Sequence, residues 1–111
     1  MDKLNHYRKI IHQILVPYSQ IIYNNADIQN RLAFDPQNDQ YLVISEGWQQ
    51  NQRYHNCLIH LEIINDKIWV QCDNTEDGIT KELLSAGIAK EDIVWGFHEP
   101  KIRQYTGFAV A

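Results

Sequence analysis

Residues 59–72 read Ile59-His60-Leu61-Glu62-Ile63-Ile64-Asn65-Asp66-Lys67-Ile68-Trp69-Val70-Gln71-Cys72, and this stretch decides the fold. Apolar residues recur at every second position on both sides of Asn65-Asp66, the pattern of two half-buried strands joined by a tight turn. A two-residue hairpin loop at Asn65-Asp66 sets Ile63 against Ile68, Leu61 against Val70 and Ile59 against Cys72 on one face. The other face then pairs Glu62 with Trp69 and His60 with Gln71. A slip by one residue would send the apolar set to the polar face, so the register is strongly specified.

The same arithmetic extends outward. Closing the preceding hairpin at Gln50-Asn51 sets Ile44 against Cys57 and Leu42 against Ile59. Strands are expected over residues 28–34, 41–48, 54–64 and 67–72, with a turn at Pro36-Gln37-Asn38-Asp39. Upstream the period becomes helical: Leu4, Tyr7, Ile10, Ile11, Ile14, Leu15, Tyr18, Ile21 and Ile22 share one side. Pro17 should kink this helix or begin its second half, and Asn24-Asn25 should end it.

Downstream, Thr75 is the expected N-cap of a second helix, with Glu76 and Asp77 in its first turn and Gly87 at its C-terminal end. Residues 92–97 should form a fifth strand, stopped near Pro100, and residues 105–110 a sixth. The expected fold is α+β, one domain over residues 1–111, with a long N-terminal helix and a shorter second helix on one face of an antiparallel meander. Ile59, Leu61, Ile63, Ile68 and Val70 should be buried there beneath Leu4, Tyr7, Ile11, Ile14 and Tyr18.

With 44% apolar and 22% charged residues, the 111-residue chain has the composition of an ordinary globular domain. Ten basic against 14 acidic residues give a net charge of −4, which excludes a whole-molecule electrostatic grip on nucleic acid or anionic lipid. No signal-like or membrane-spanning apolar stretch is found, so a cytoplasmic protein is expected. Cys57 and Cys72 fall on one face but off-pair, about 7 Å or more apart at Cα, and are expected as reduced core thiols.

Few chemical motifs stand out. His6, His12, His55, His60 and His98 form no ligand pair at metal-binding spacing, and His55 and His60 should point to opposite faces of their strand. There is no nucleophile elbow and no Gly-rich phosphate loop, so neither metal nor cofactor is expected. Asp73, Glu76 and Asp77 cluster where the fourth strand meets the second helix. They have the chemistry to hold a hard cation or act as acid and base, but helix capping explains the same residues.

Two features point instead to partners. On the non-core face, Tyr54, Asn56, Leu58, His60, Glu62, Trp69 and Gln71 form an aromatic-bearing strip. Such a strip is either a binding surface or the seat of a third layer supplied by the C-terminal segment. The run Phe97-His98-Glu99-Pro100-Lys101-Ile102-Arg103-Gln104-Tyr105-Thr106-Gly107-Phe108 follows a strand, where functional loops are common. In it His98, Lys101 and Arg103 are further partner-binding candidates. The Arg103 fork is expected to bridge a carboxylate, at the start of the second helix or on a partner.

That run, with Asp73-Asn74-Thr75-Glu76-Asp77-Gly78-Ile79 and Gly87-Ile88-Ala89-Lys90-Glu91-Asp92-Ile93-Val94, resembles the XisI family of fdxN element excision controlling factors. Met1-Asp2-Lys3-Leu4 with Tyr7, Phe34-Asp35, Gly47-Trp48 and Lys67-Ile68-Trp69-Val70-Gln71 support the resemblance, which spans the whole chain. Pro17 departs from the uninterrupted first helix that the family implies. The resemblance implies a non-enzymatic factor for programmed excision of a DNA element during heterocyst differentiation in cyanobacteria. Such a factor acts beside a site-specific recombinase and has no catalytic residues to carry over.

Genes of the family neighbour those of XisH proteins, which look like nuclease-fold proteins, so an XisH-like protein is the expected partner. A toxin–neutraliser pair would use the same binding logic, and a homo-oligomer is compatible with it. The competing readings are direct binding to the element's DNA and a small enzyme using Asp73, Asp77 and His98. Direct binding needs a basic stripe, and the cationic residues are scattered among more numerous acids.

Overall fold

The computed structural model describes residues 2–24 and 26–111; Met1 and Asn25, the latter expected to close the first helix, lie outside them. Helix α1 spans Lys3–Leu15, opened by Asp2, whose carboxylate accepts from the Leu4 amide at 3.0 Å. It ends earlier than the apolar pattern predicts. Pro17 starts a separate 3₁₀ turn, Val16–Gln20, after which the chain leaves helical geometry, and Ile21 and Ile22 are exposed. The buried stripe of α1 is Tyr7, Ile10, Ile11 and Leu15; the expected Leu4, Ile14 and Tyr18 are half-buried at its margin.

Four strands follow as a meander: β1 (Asp27–Asp35), β2 (Gln40–Gln49), β3 (Gln52–Ile64) and β4 (Lys67–Asp73). Gln50-Asn51 and Asn65-Asp66 are two-residue loops with all four residues in the left-handed region, as such hairpins demand. Ile63 faces Ile68, Leu61 faces Val70, and Glu62 faces Trp69, in agreement with the sequence. The register then departs from it twice. A bulge after His60 puts Cys72 opposite His60 and Asp73 opposite Ile59, leaving Gln71 as the extra residue. A second bulge leaves Leu58 unpaired between Ile44↔Cys57 and Val43↔Ile59.

The bulges correct several expectations. The core face of β2 carries Tyr41 and Val43, not Leu42 and Ile44. Cys57, paired with Ile44, and Cys72, paired with His60, lie on the helix-free face. His55 and His60 share that face, because the extra residue between them cancels their odd spacing. Ile59, Leu61, Ile63, Ile68 and Val70 are all buried, as expected, with Ile11 and Leu15 of α1 above them.

Helix α2 (Ile79–Ser85) starts later than predicted and presents Ile79 and Leu83 to the core. Its amide cap is Asp73, not Thr75. The two Asp73 oxygens accept from the Ile79 amide at 2.8 Å and from the Thr75 amide and hydroxyl at 3.1 and 2.6 Å. Glu76 and Asp77 therefore precede the helix instead of filling its first turn. Because α2 carries the chain back across the sheet, β5 (Ile93–Trp95) joins β4 in parallel, unlike the other pairs. The sixth strand is reduced to one bridge, Val94↔Ala109, and a short helix α3 (Pro100–Arg103) stands where a loop was expected. Among the described residues no helix is long and apolar enough to cross a membrane.

Candidate functional site

The helix-free face holds three of the sequence-derived candidates in one hydrogen-bonded row across β2, β3 and β4. His60 Nε2 meets Gln40 Oε1 at 2.7 Å, Gln40 Nε2 donates to Glu62 at 2.6 Å, and Gln71 Nε2 donates to the other Glu62 oxygen at 3.1 Å. Trp69 pairs with Glu62 and shares this face. Gln40 links the row and was missed in the sequence, because the expected register placed the β2 side chains on the wrong side of the sheet. With its members already bonded to one another, the row is a fixed polar ridge.

The C-terminal segment covers one end of this ridge, so part of the strip is the seat of a third layer. Arg103 lies 4.9 Å from the centroid of the Trp69 ring. Its Nε donates to the His98 carbonyl at 3.1 Å and its Nη2 to the Gly96 carbonyl at 3.3 Å. The expected carboxylate bridge is not made inside the chain; among the described residues Arg103 has no acidic partner. Gly96 permits the approach: a Cβ there would sit 2.5 Å from Gln71 Oε1 and 3.0 Å from the Trp69 ring. His98 packs against Trp95 and Phe97, at centroid distances of 5.7 and 4.7 Å, whereas Lys101 projects outward from α3.

Tyr54, Asn56 and Leu58 do not belong with His60 and Trp69. The Leu58 bulge splits the predicted strip, and Tyr54, opposite Gly47, sits on the helix side beside Tyr23 and Ser45. Of the acidic cluster, Asp73 is committed to its cap, while Glu76 and Asp77 are exposed and make no ion pair among the described residues. No group of three His, Cys, Asp or Glu residues among those described is placed to hold a metal ion. Burial, followed by the neighbouring Cys72, pushes the Cys57 thiol up to about 11, which leaves little thiolate for nucleophilic work at neutral pH. Both cysteines are free and half-buried.

Sequence reasoning also missed Asn30. It is buried on the helix side of β1, donating to the Tyr18 carbonyl at 2.8 Å and the Tyr23 hydroxyl at 3.0 Å while accepting from Ser45. The available signal was an amide interrupting the apolar phase Ile28, Leu32, Phe34.

The fold has counterparts among known proteins. The family model described as XisI protein matches residues 1–110. The chain belongs to the XisI family. Its fold is similar to the crystal structure of the fdxN element excision controlling factor XisI from Anabaena variabilis ATCC 29413. That match has 40% identity and a TM-score of 0.82, over 99% of this chain and 100% of that one. A XisI-like protein from the same organism matches at 30% identity and a TM-score of 0.85, with the same coverage. No curated protein matches the chain.

Proposed function

We propose that this XisI-family protein is a non-enzymatic controlling factor for programmed excision of a DNA element. In this reading it acts by binding a protein partner of the XisH type in the cytoplasm of a cyanobacterial cell. One observation carries the reading: full-length similarity, at 40% identity, to a protein named as an excision controlling factor. The site chemistry supports the non-enzymatic part. The polar candidates are tied into a ridge, a cap and a C-terminal layer, and the Thr75 hydroxyl that reaches the Asp73 carboxylate belongs to that cap.

Direct DNA binding draws no support from the charge layout. Lys3, Arg8, Arg31 and Arg53 are paired with Asp92, Asp39 and Glu46, and Arg103 turns inward onto Trp69. The deciding experiment is co-expression with an XisH-like protein, followed by affinity purification of one tagged chain. Stoichiometric co-purification is expected, together with no retardation of an element-end duplex by this chain alone at physiological salt. Submicromolar, sequence-selective retardation by the isolated chain would replace this reading with direct DNA binding.

A further inference from the structure

On the helix side, beyond the reach of α1, two hollows of about 510 and about 370 Å³ meet along Tyr23 and Leu58. Together they form one groove between the residue 21–23 segment, the distal part of the β2–β3 hairpin and the approach to α2. Its apolar surface is uncovered: Ile21 is 42% exposed, Tyr23 37% and Tyr54 36%. Leu58 lines both hollows because it is the extra residue of the β3 bulge. Two of its three tyrosine rings are held in place, Tyr23 through its hydroxyl to Asn30 and Tyr18 through its hydroxyl to Glu82. A groove with fixed walls gives a ligand less entropy to lose on binding.

Charge selects the occupant. Glu76, Asp77 and Glu82 stand at one end against a single cation, Lys81, and the other end carries no charged side chain. Glu76 and Asp77 have no ion-pair partner among the described residues. An apolar floor bearing three aromatic rings, with acid at one end, complements a cationic side chain flanked by apolar ones. We propose that this groove docks a basic, apolar-bearing segment of a partner protein. This inference rests on the reading that the protein works by binding another protein, and it names where and with what chemistry.

The test is selection from a phage-displayed library of random 12-residue peptides on the full chain, in parallel with Glu76→Gln/Asp77→Asn. Neither of those carboxylates makes a hydrogen bond among the described residues, so the double variant is expected to fold as the parent does. Selected peptides should combine Arg or Lys with apolar residues and bind the parent at least tenfold more tightly than the double variant. Amide chemical shifts should move at Tyr23, Leu58 and Asp77, and added salt should weaken binding. Absence of enrichment, an uncharged or acidic consensus, equal binding to the double variant, or shifts confined to the helix-free face would each overturn the proposal. Co-purification of the XisH-like protein with both parent and double variant would discard the groove and keep the partner reading. Salt-sensitive peptide binding at the groove without such co-purification would do the reverse.

Discussion

Arg103 shows most directly how a residue's role depends on the surface beneath it. From sequence it was a cation seeking a carboxylate; in the fold it closes the C-terminal segment onto Trp69 and two carbonyls. Arg103→Ala is expected to destabilise the protein by about 1–2 kcal/mol, from one cation–π contact and two charge-assisted bonds. Arg103→Lys should recover less than half of that loss, because an ammonium cannot reproduce the fork. Thermal melts of the three proteins decide it; equal midpoints would make Arg103 an ordinary surface charge. The candidate site was legible at this scale only by residue type. His60, Glu62, Trp69 and Gln71 were placed on one face, but Gln40 and Gly96, which join them to their neighbours, carry no signal without the register.

Among the elements, the hairpins were read well and the places where the chain changes direction were not. Alternation fixes the face of a strand and the two-residue loops fix its register, which is why Ile63↔Ile68 and Leu61↔Val70 were readable. A bulge inserts one residue without changing polarity, so Leu58 and Gln71 left no mark on the pattern. The parallel approach of β5 was hidden for a related reason: residues 93–95 are too few to show which neighbour they choose. The start of α2 was misjudged because Thr75 has a good capping side chain, yet Asp73 reaches farther. Asp73→Ala should remove the cap and cost about 1–2 kcal/mol by chemical denaturation, with no loss if the Ile79 amide finds water instead. Asp66→Gly should act in the opposite direction. Asp66 sits at φ 65°, where glycine is unstrained, so a gain of roughly 0.5 kcal/mol is expected after the added freedom of the unfolded chain is deducted. A lower midpoint for that variant would show that the aspartate side chain has a structural role in the turn.

For the molecule as a whole, α1 is pinned at widely separated points, and those points set the response to pH. Arg8 bonds both Asp39 oxygens at 2.7 and 3.0 Å and, with Tyr41, holds the Asp39 carboxyl below its ordinary range despite partial burial. Burial alone would raise Asp92, but hydrogen bonds from Tyr7 and Lys3 outweigh it and lower its value. Carboxyls depressed in the folded state contribute stability that is complete above their unfolded value, near pH 4, and disappears as pH falls through the folded values. Tyr7 and Tyr41 are raised to about 12, first by burial and then by their aspartate partners. Their contribution is complete below their unfolded value near 10 and is lost as pH climbs toward 12. Stability should therefore form a plateau from about pH 4 to about 9, where the raised Cys57 thiol begins to draw it down ahead of the tyrosines, and Arg8→Met should flatten its acid edge. An acid edge unchanged in that variant would remove Asp39 from the account. The clasp between Tyr7 and Asp92 also has a consequence for biosynthesis. Its two halves are 85 residues apart, so at translation rates of about 5–20 residues per second the helix waits roughly 4–17 s for its anchor. During that interval the greasy side of the nascent helix is open to ribosome-associated chaperones, while the local hairpins behind it are already free to close.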